Sequence, residues 1–153
     1  MLYQLSYAST AQTEKRYQKG TSIARLSNRG PAVSTLRHQT NCAGELIVQH
    51  PGWVCAEARS GRDAISQIQQ RAPDILILDL RMSAMDGLQA ARTISKLLPD
   101  LPILLCTSSA VPLSLVSMAQ RCGIKGTVSK YDCRQIEMGI EALLRHVTFF
   151  CRN

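Results

Sequence analysis

PDILILDLRMSAMDG, running from Pro73 to Gly87, decides how this chain is read. Its apolar run, Ile75 to Leu78, is long enough for a strand buried on both faces and too short for a helix of its own. The run ends on Asp79, which puts a carboxylate at the carboxyl end of that strand. Open parallel α/β sheets carry their ligand crevices there. Met85-Asp86-Gly87 then reads as a turn leading into a helix.

The same pattern recurs downstream. A second apolar run, Ile103 to Cys106, ends on Thr107, and a short strand, Gly126 to Ser129, ends on Lys130. Helical periodicity fills the intervals: Ser60-Gly61 to about Arg71, Leu88 to Leu98 with Ala91, Ile94 and Leu97 inward, Pro112 to Arg121 ended by Gly123, and Arg134 to Val147. Upstream, Trp53 to Ala58 reads as strand, His50-Pro51-Gly52 as turn and Thr40 to Gln49 as helix. Ala32 to Leu36 is a poor, short strand after the break at Gly30-Pro31. Strands alternating with helices of these lengths imply an α/β fold, a doubly wound parallel sheet. Right-handed crossovers make it flavodoxin-like, five-stranded, with order 2-1-3-4-5. The expected organisation is a basic extension over residues 1–31, a domain over 32–148 and a tail over 149–153.

Composition sets limits on function. A chain of 153 residues, 45% hydrophobic and 19% charged, is long enough for one folded core and too apolar for a disordered tail. It has no run of the roughly 18 apolar residues that a membrane span needs, and the N-terminus lacks the pattern of a secretory signal. A cytoplasmic protein without a membrane partner is expected. Six cysteines without C-x-x-C or zinc-like spacing read as free thiols rather than bridges or metal ligands. The net charge of +7 is uneven, since residues 1–41 hold six Lys or Arg against one acid. A basic arm attracts polyanions, yet no aromatic interleaving accompanies it, and a solvated extension is the plainer reading.

Asp79, the MSAMDG loop, Thr107 and Lys130, in this order at three successive strand ends, make the chain resemble the receiver domain of bacterial two-component response regulators. The likeness runs from about Leu36 to Val147 and is nearest to receivers that precede LuxR-type DNA-binding domains. The family's loop has the form M-P-x-M-D-G, and its proline is Ser83 here. The resemblance implies Asp79 as phosphoacceptor, Thr107 as the hydroxyl that bonds the phosphoryl group and Lys130 as its cation. It implies Mg²⁺ held by Asp79, the backbone carbonyl of Arg81 and an acidic pair at the end of the first strand. It also implies a histidine kinase or other signalling protein as partner, and leaves a homodimer open.

Three departures bear on those implications. The acidic pair falls at about Ser34-Thr35, which are neutral hydroxyls, and no Asp or Glu lies between Lys15 and Gly44. Where many receivers carry an aromatic switch residue, three positions before the lysine, this chain has Thr127. After the last helix only TFFCRN remains, too little for a DNA-binding module, so direct DNA binding is not expected. Each site residue has a plain structural alternative: an Asp79–Lys130 ion pair, Thr107 capping its loop, and Asp86 shaping a turn. The competing functional readings are a phosphorelay receiver without enzymatic activity of its own, and a phosphorylation-independent pseudo-receiver that binds proteins through residues 112–121, 126–129 and 134–147. A truncated regulator remnant is a third. A flavin-binding fold is disfavoured because Leu36, Arg37, His38 and Gln39 stand where a phosphate loop needs small residues.

Overall fold

The computed structural model describes residues 32–36, 54–58, 60–70, 72–82 and 85–151. Along the chain these form β1 (Ala32–Leu36), β2 (Val54–Ala58), α1 (Gly61–Gln70), β3 (Ile75–Asp79), α2 (Gly87–Leu97), β4 (Ile103–Thr107), α3 (Leu113–Arg121), β5 (Gly126–Ser129), α4 (Cys133–Leu144) and β6 (Phe149–Phe150). The helix expected over Thr40–Gln49, the turn at 50–52 and the extension over 1–31 lie outside the described residues.

The strands form one sheet in the order β2-β1-β3-β4-β5-β6, and every pairing is parallel. All five residues of β3 and all five of β4 are buried. Alternation across the sheet explains why both read as unbroken apolar runs. Leu76, Leu78, Ile103 and Leu105 point to one face, against Ala64 and Ile68 of α1 and Ala90, Ala91 and Ile94 of α2. Ile75, Ile77, Leu104 and Cys106 point to the other, against Ile136, Ile140 and Leu143 of α4. Leu97, expected to face inward, is 44% exposed, and Ala90 fills the core-facing position of α2 instead.

Local chemistry sets where the helices begin. Ser60 Oγ accepts the Asp63 N–H at 3.2 Å, Asp86 caps α2 by accepting the Gln89 N–H at 2.8 Å, and Asp132 caps α4 by accepting the Gln135 N–H at 3.0 Å. Each satisfies a backbone donor that the first helical turn leaves without a partner. Gly123, at φ +81, turns the chain out of α3.

The C-terminal part departs from expectation. The last helix stops at Leu144 rather than Val147, because His146 takes a left-handed φ of 59°. The Val147 N–H then reaches the Ala142 carbonyl at 2.9 Å and the His146 N–H reaches that of Leu143 at 2.9 Å. This is the paired bonding that closes a helix and reverses its chain. Residues 149 and 150, expected as a tail, run as β6 beside β5, with Gly126 opposite Phe149 and Thr127 opposite Phe150. Among the described residues the sheet therefore has a sixth strand beside the five expected. Gly126 makes the pairing close, since a Cβ there would lie 2.6 Å from the Phe149 carbonyl oxygen.

Candidate functional site

Parallel pairing brings the ends of β3, β4 and β5 to one edge of the sheet. Asp79 lies opposite Cys106 and Thr107 lies opposite Ser129, so Asp79, Thr107 and Lys130 follow one another across three neighbouring strands. Lys130 Nζ donates to Asp79 Oδ2 at 3.0 Å, joining residues 51 positions apart. The Asp79 side chain is 1% exposed and that of Lys130 10%. The other carboxylate oxygen, Oδ1, accepts the Arg81 backbone N–H at 3.1 Å. Asp79 is thus a buried carboxylate with both oxygens engaged by donors, as a buried charge requires.

The backbone around it is tied down by the same strand ends. The Leu80 N–H donates to the Cys106 carbonyl, and the Lys130 N–H to that of Thr107, each at 2.9 Å. The Gly87 N–H returns to the Leu80 carbonyl at 3.0 Å, and a Cβ on Gly87 would collide with the Asp79 carbonyl oxygen. That glycine lets α2 begin directly behind β3. Thr107 is 2% exposed, and its Oγ1 accepts the Ser109 N–H at 3.2 Å, so the hydroxyl also shapes its own loop. Asp86 is exposed and occupied as the cap of α2. Cys106 sits between these groups. Burial, assisted by the Asp79 charge and opposed by Lys130, pushes its thiol up to about 12.

The sequence reading singled out Asp79, Thr107 and Lys130, and the fold brings them together. It did not find the Arg81 and Ser109 backbone donors, because any residue type supplies an N–H and sequence carries no signal for it. It placed the acidic pair's equivalents at Ser34-Thr35. In the sheet Ser34 pairs with Leu76 and Thr35 with Ile77, which are three and two positions short of Asp79. At a strand rise of about 3.3 Å per residue, their α-carbons stand about 10 and 7 Å back along the strand axis. Thr127, at the position of the aromatic switch, is fully buried, and among the described residues its hydroxyl has no hydrogen-bond partner.

A buried carboxylate, a threonine and a lysine on adjacent strand ends of a parallel α/β sheet define a receiver-type signalling domain. The chain belongs to the response regulator receiver domain family, whose model matches residues 38–140. It is 28% identical over 102 residues, 67% of this chain and 23% of the relative, to the transcriptional regulatory protein ZraR of Escherichia coli O157:H7. It is 40% identical over 63 residues, 41% of this chain and 30% of the relative, to the response regulator protein VraR of Staphylococcus epidermidis. The chain spans less than a third of the length of these two curated relatives.

Among solved structures, a two-component response regulator of the LuxR family from Aurantimonas sp. SI85-9A1 is similar with a TM-score of 0.70 and 27% identity, over 76% of this chain and 86% of that one. The isolated receiver domain of RcsB from Salmonella enterica serovar Typhimurium shares the fold with a TM-score of 0.68 and 21% identity, over 82% and 94% of the two chains.

Receiver domains typically bind Mg²⁺ at an acidic pocket. Mg²⁺ requires oxygen ligands in near-octahedral geometry, and the residues present here fit it poorly. Among the described residues no group of three His, Cys, Asp or Glu side chains comes together. The one buried carboxylate of the site already holds an ammonium at 3.0 Å, which repels a second cation.

Proposed function

We propose that this chain is a phosphorelay receiver in which Asp79 accepts a phosphoryl group from a histidine kinase, Lys130 holds the charge and Thr107 bonds the phosphoryl oxygen. The observation that carries the proposal is the Lys130–Asp79 contact at 3.0 Å, with Thr107 on the strand end between them. In the transfer an Asp79 oxygen attacks phosphorus, the donor's phosphorus–nitrogen bond breaks and the leaving imidazole takes a proton. Lys130 shifts from the carboxylate to a phosphoryl oxygen and stabilises the charge gathering there.

The reading extends to a flavodoxin-like order 2-1-3-4-5 for the first five strands, with β6 added, and to a basic extension over residues 1–31. It places the protein in the cytoplasm, acting as a signalling module with no catalysis of its own beyond this transfer. Among the described residues no helix is long and apolar enough to cross a membrane. Intact mass after incubation with acetyl phosphate and Mg²⁺ tests the acceptor role. One added phosphoryl group, absent from Asp79→Asn, is expected, and an unchanged mass would refute it.

One observation favours a second reading, a pseudo-receiver that binds proteins without phosphorylation. Thr127 replaces the aromatic whose rotamer reports the state of the site, and its buried hydroxyl finds no hydrogen-bond partner among the described residues. A phosphorylation-linked shift of the face formed by α3, β5 and α4 then lacks its usual lever. Equal affinity of wild type and Asp79→Asn for a captured partner would favour that reading.

A further inference from the structure

We infer that the Asp79 centre is charge-balanced by the protein's own lysine and takes no divalent cation. The inference rests on the family reading of the site and concerns how that site is regulated. Asp79 is almost fully buried, and each of its oxygens is claimed: Oδ2 by Lys130 Nζ at 3.0 Å and Oδ1 by the Arg81 N–H at 3.1 Å. A cation entering here would have to displace an ammonium from a site of low dielectric, or sit beside it.

The acids that would outweigh this repulsion are missing for reasons of both register and sequence. Ser34 and Thr35 lie opposite Leu76 and Ile77, and both are neutral. The eight residues that follow β1, Arg37 to Gly44, contain no Asp or Glu but do include Arg37 and His38. A shift of the first strand by several positions in either direction therefore still delivers no carboxylate. Asp86, a few residues beyond Asp79, is spent on the Gln89 N–H. Elsewhere in the family the lysine and the metal share a site whose acidic pair offsets both; without that pair Lys130 alone already balances Asp79, so the site stays in one electrostatic state whatever the Mg²⁺ concentration.

The test uses the full chain, ¹⁵N-labelled and titrated with Mn²⁺ as a paramagnetic probe up to millimolar concentration. Amides of Leu80, Arg81, Gly87 and Thr107 are expected to keep their intensities, and the melting temperature to stay unchanged with Mg²⁺. Selective broadening of those amides, or a Mg²⁺-dependent rise in melting temperature that Asp79→Asn removes, would overturn the inference. The role of Lys130 is read separately. Lys130→Met should lower the melting temperature, and adding Asp79→Asn should restore most of the loss. Strictly additive losses would mean that Lys130 does not balance Asp79. Acetyl phosphate labelling with and without EDTA keeps the two proposals apart. Equal labelling supports the present one, and labelling that requires Mg²⁺ overturns it. Absence of labelling in both arms removes the acceptor role, and the Mn²⁺ titration still decides the question of the metal.

Discussion

Asp79 and Cys106 show how one residue's environment sets its chemistry. They are cross-strand neighbours on β3 and β4, one a charge held by two donors and the other a thiol deep in the core. Burial keeps the Cys106 thiol neutral far above the range in which an open cysteine ionises, so it is not a nucleophile at neutral pH despite its place beside Asp79. This has a consequence for stability. The folded value is raised from 9.0 to about 12, so the unfolded chain loses its proton first. The contribution is full below the unfolded value and is lost as pH rises towards the folded one. Each pH unit in that window removes about 1.4 kcal/mol. Urea denaturation at rising alkaline pH should show a steep loss of stability in wild type and a shallower one in Cys106→Ala. Parallel slopes would contradict the assignment.

At the scale of elements, the end of α4 is the most consequential piece of local structure. His146 closes that helix in a conformation that costs an L-residue roughly 1–2 kcal/mol, and the chain can turn back to lay Phe149-Phe150 along β5 only because of it. Glycine adopts the same φ without a Cβ penalty. His146→Gly should therefore stabilise the protein by about 1 kcal/mol, less the greater entropy of the unfolded glycine, which thermal melting can detect. A loss instead would mean that the imidazole makes compensating contacts. Conversely, Phe149→Ala removes a half-buried ring packed on the α4 side of the sheet. A cost of about 2 kcal/mol is expected in chemical denaturation, somewhat under the full core value for phenylalanine. These elements were the hardest to read in advance. Asp86 and Asp132 announce helix starts by residue type, whereas a histidine in a left-handed turn carries no such signal.

Across the whole molecule, the sheet joins two apolar layers through the same strands. Leu78 serves one layer and Leu104 the other, so neither can loosen alone. Leu78→Ala and Leu104→Ala should each cost about 3–5 kcal/mol. Both should shift a single transition in which far-UV and near-UV dichroism move together. Separate midpoints for the two probes would show that the layers unfold independently.

The sequence alone was enough for the alternation of strands and helices, for a parallel sheet buried on both faces, and for the placing of Asp79, Thr107 and Lys130 at three successive strand ends. Apolar runs ending on polar residues are a local record of burial and of strand ends, and local patterns can be read along a chain. Only the tertiary structure decided which groups hold the Asp79 oxygens and where β1 stands against β3. It also added a sixth strand and left the buried Thr127 hydroxyl without a hydrogen-bond partner among the described residues. Those outcomes depend on register and on distances between residues far apart in sequence, 51 positions in the case of Lys130 and Asp79. Such relations exist only once the chain has packed.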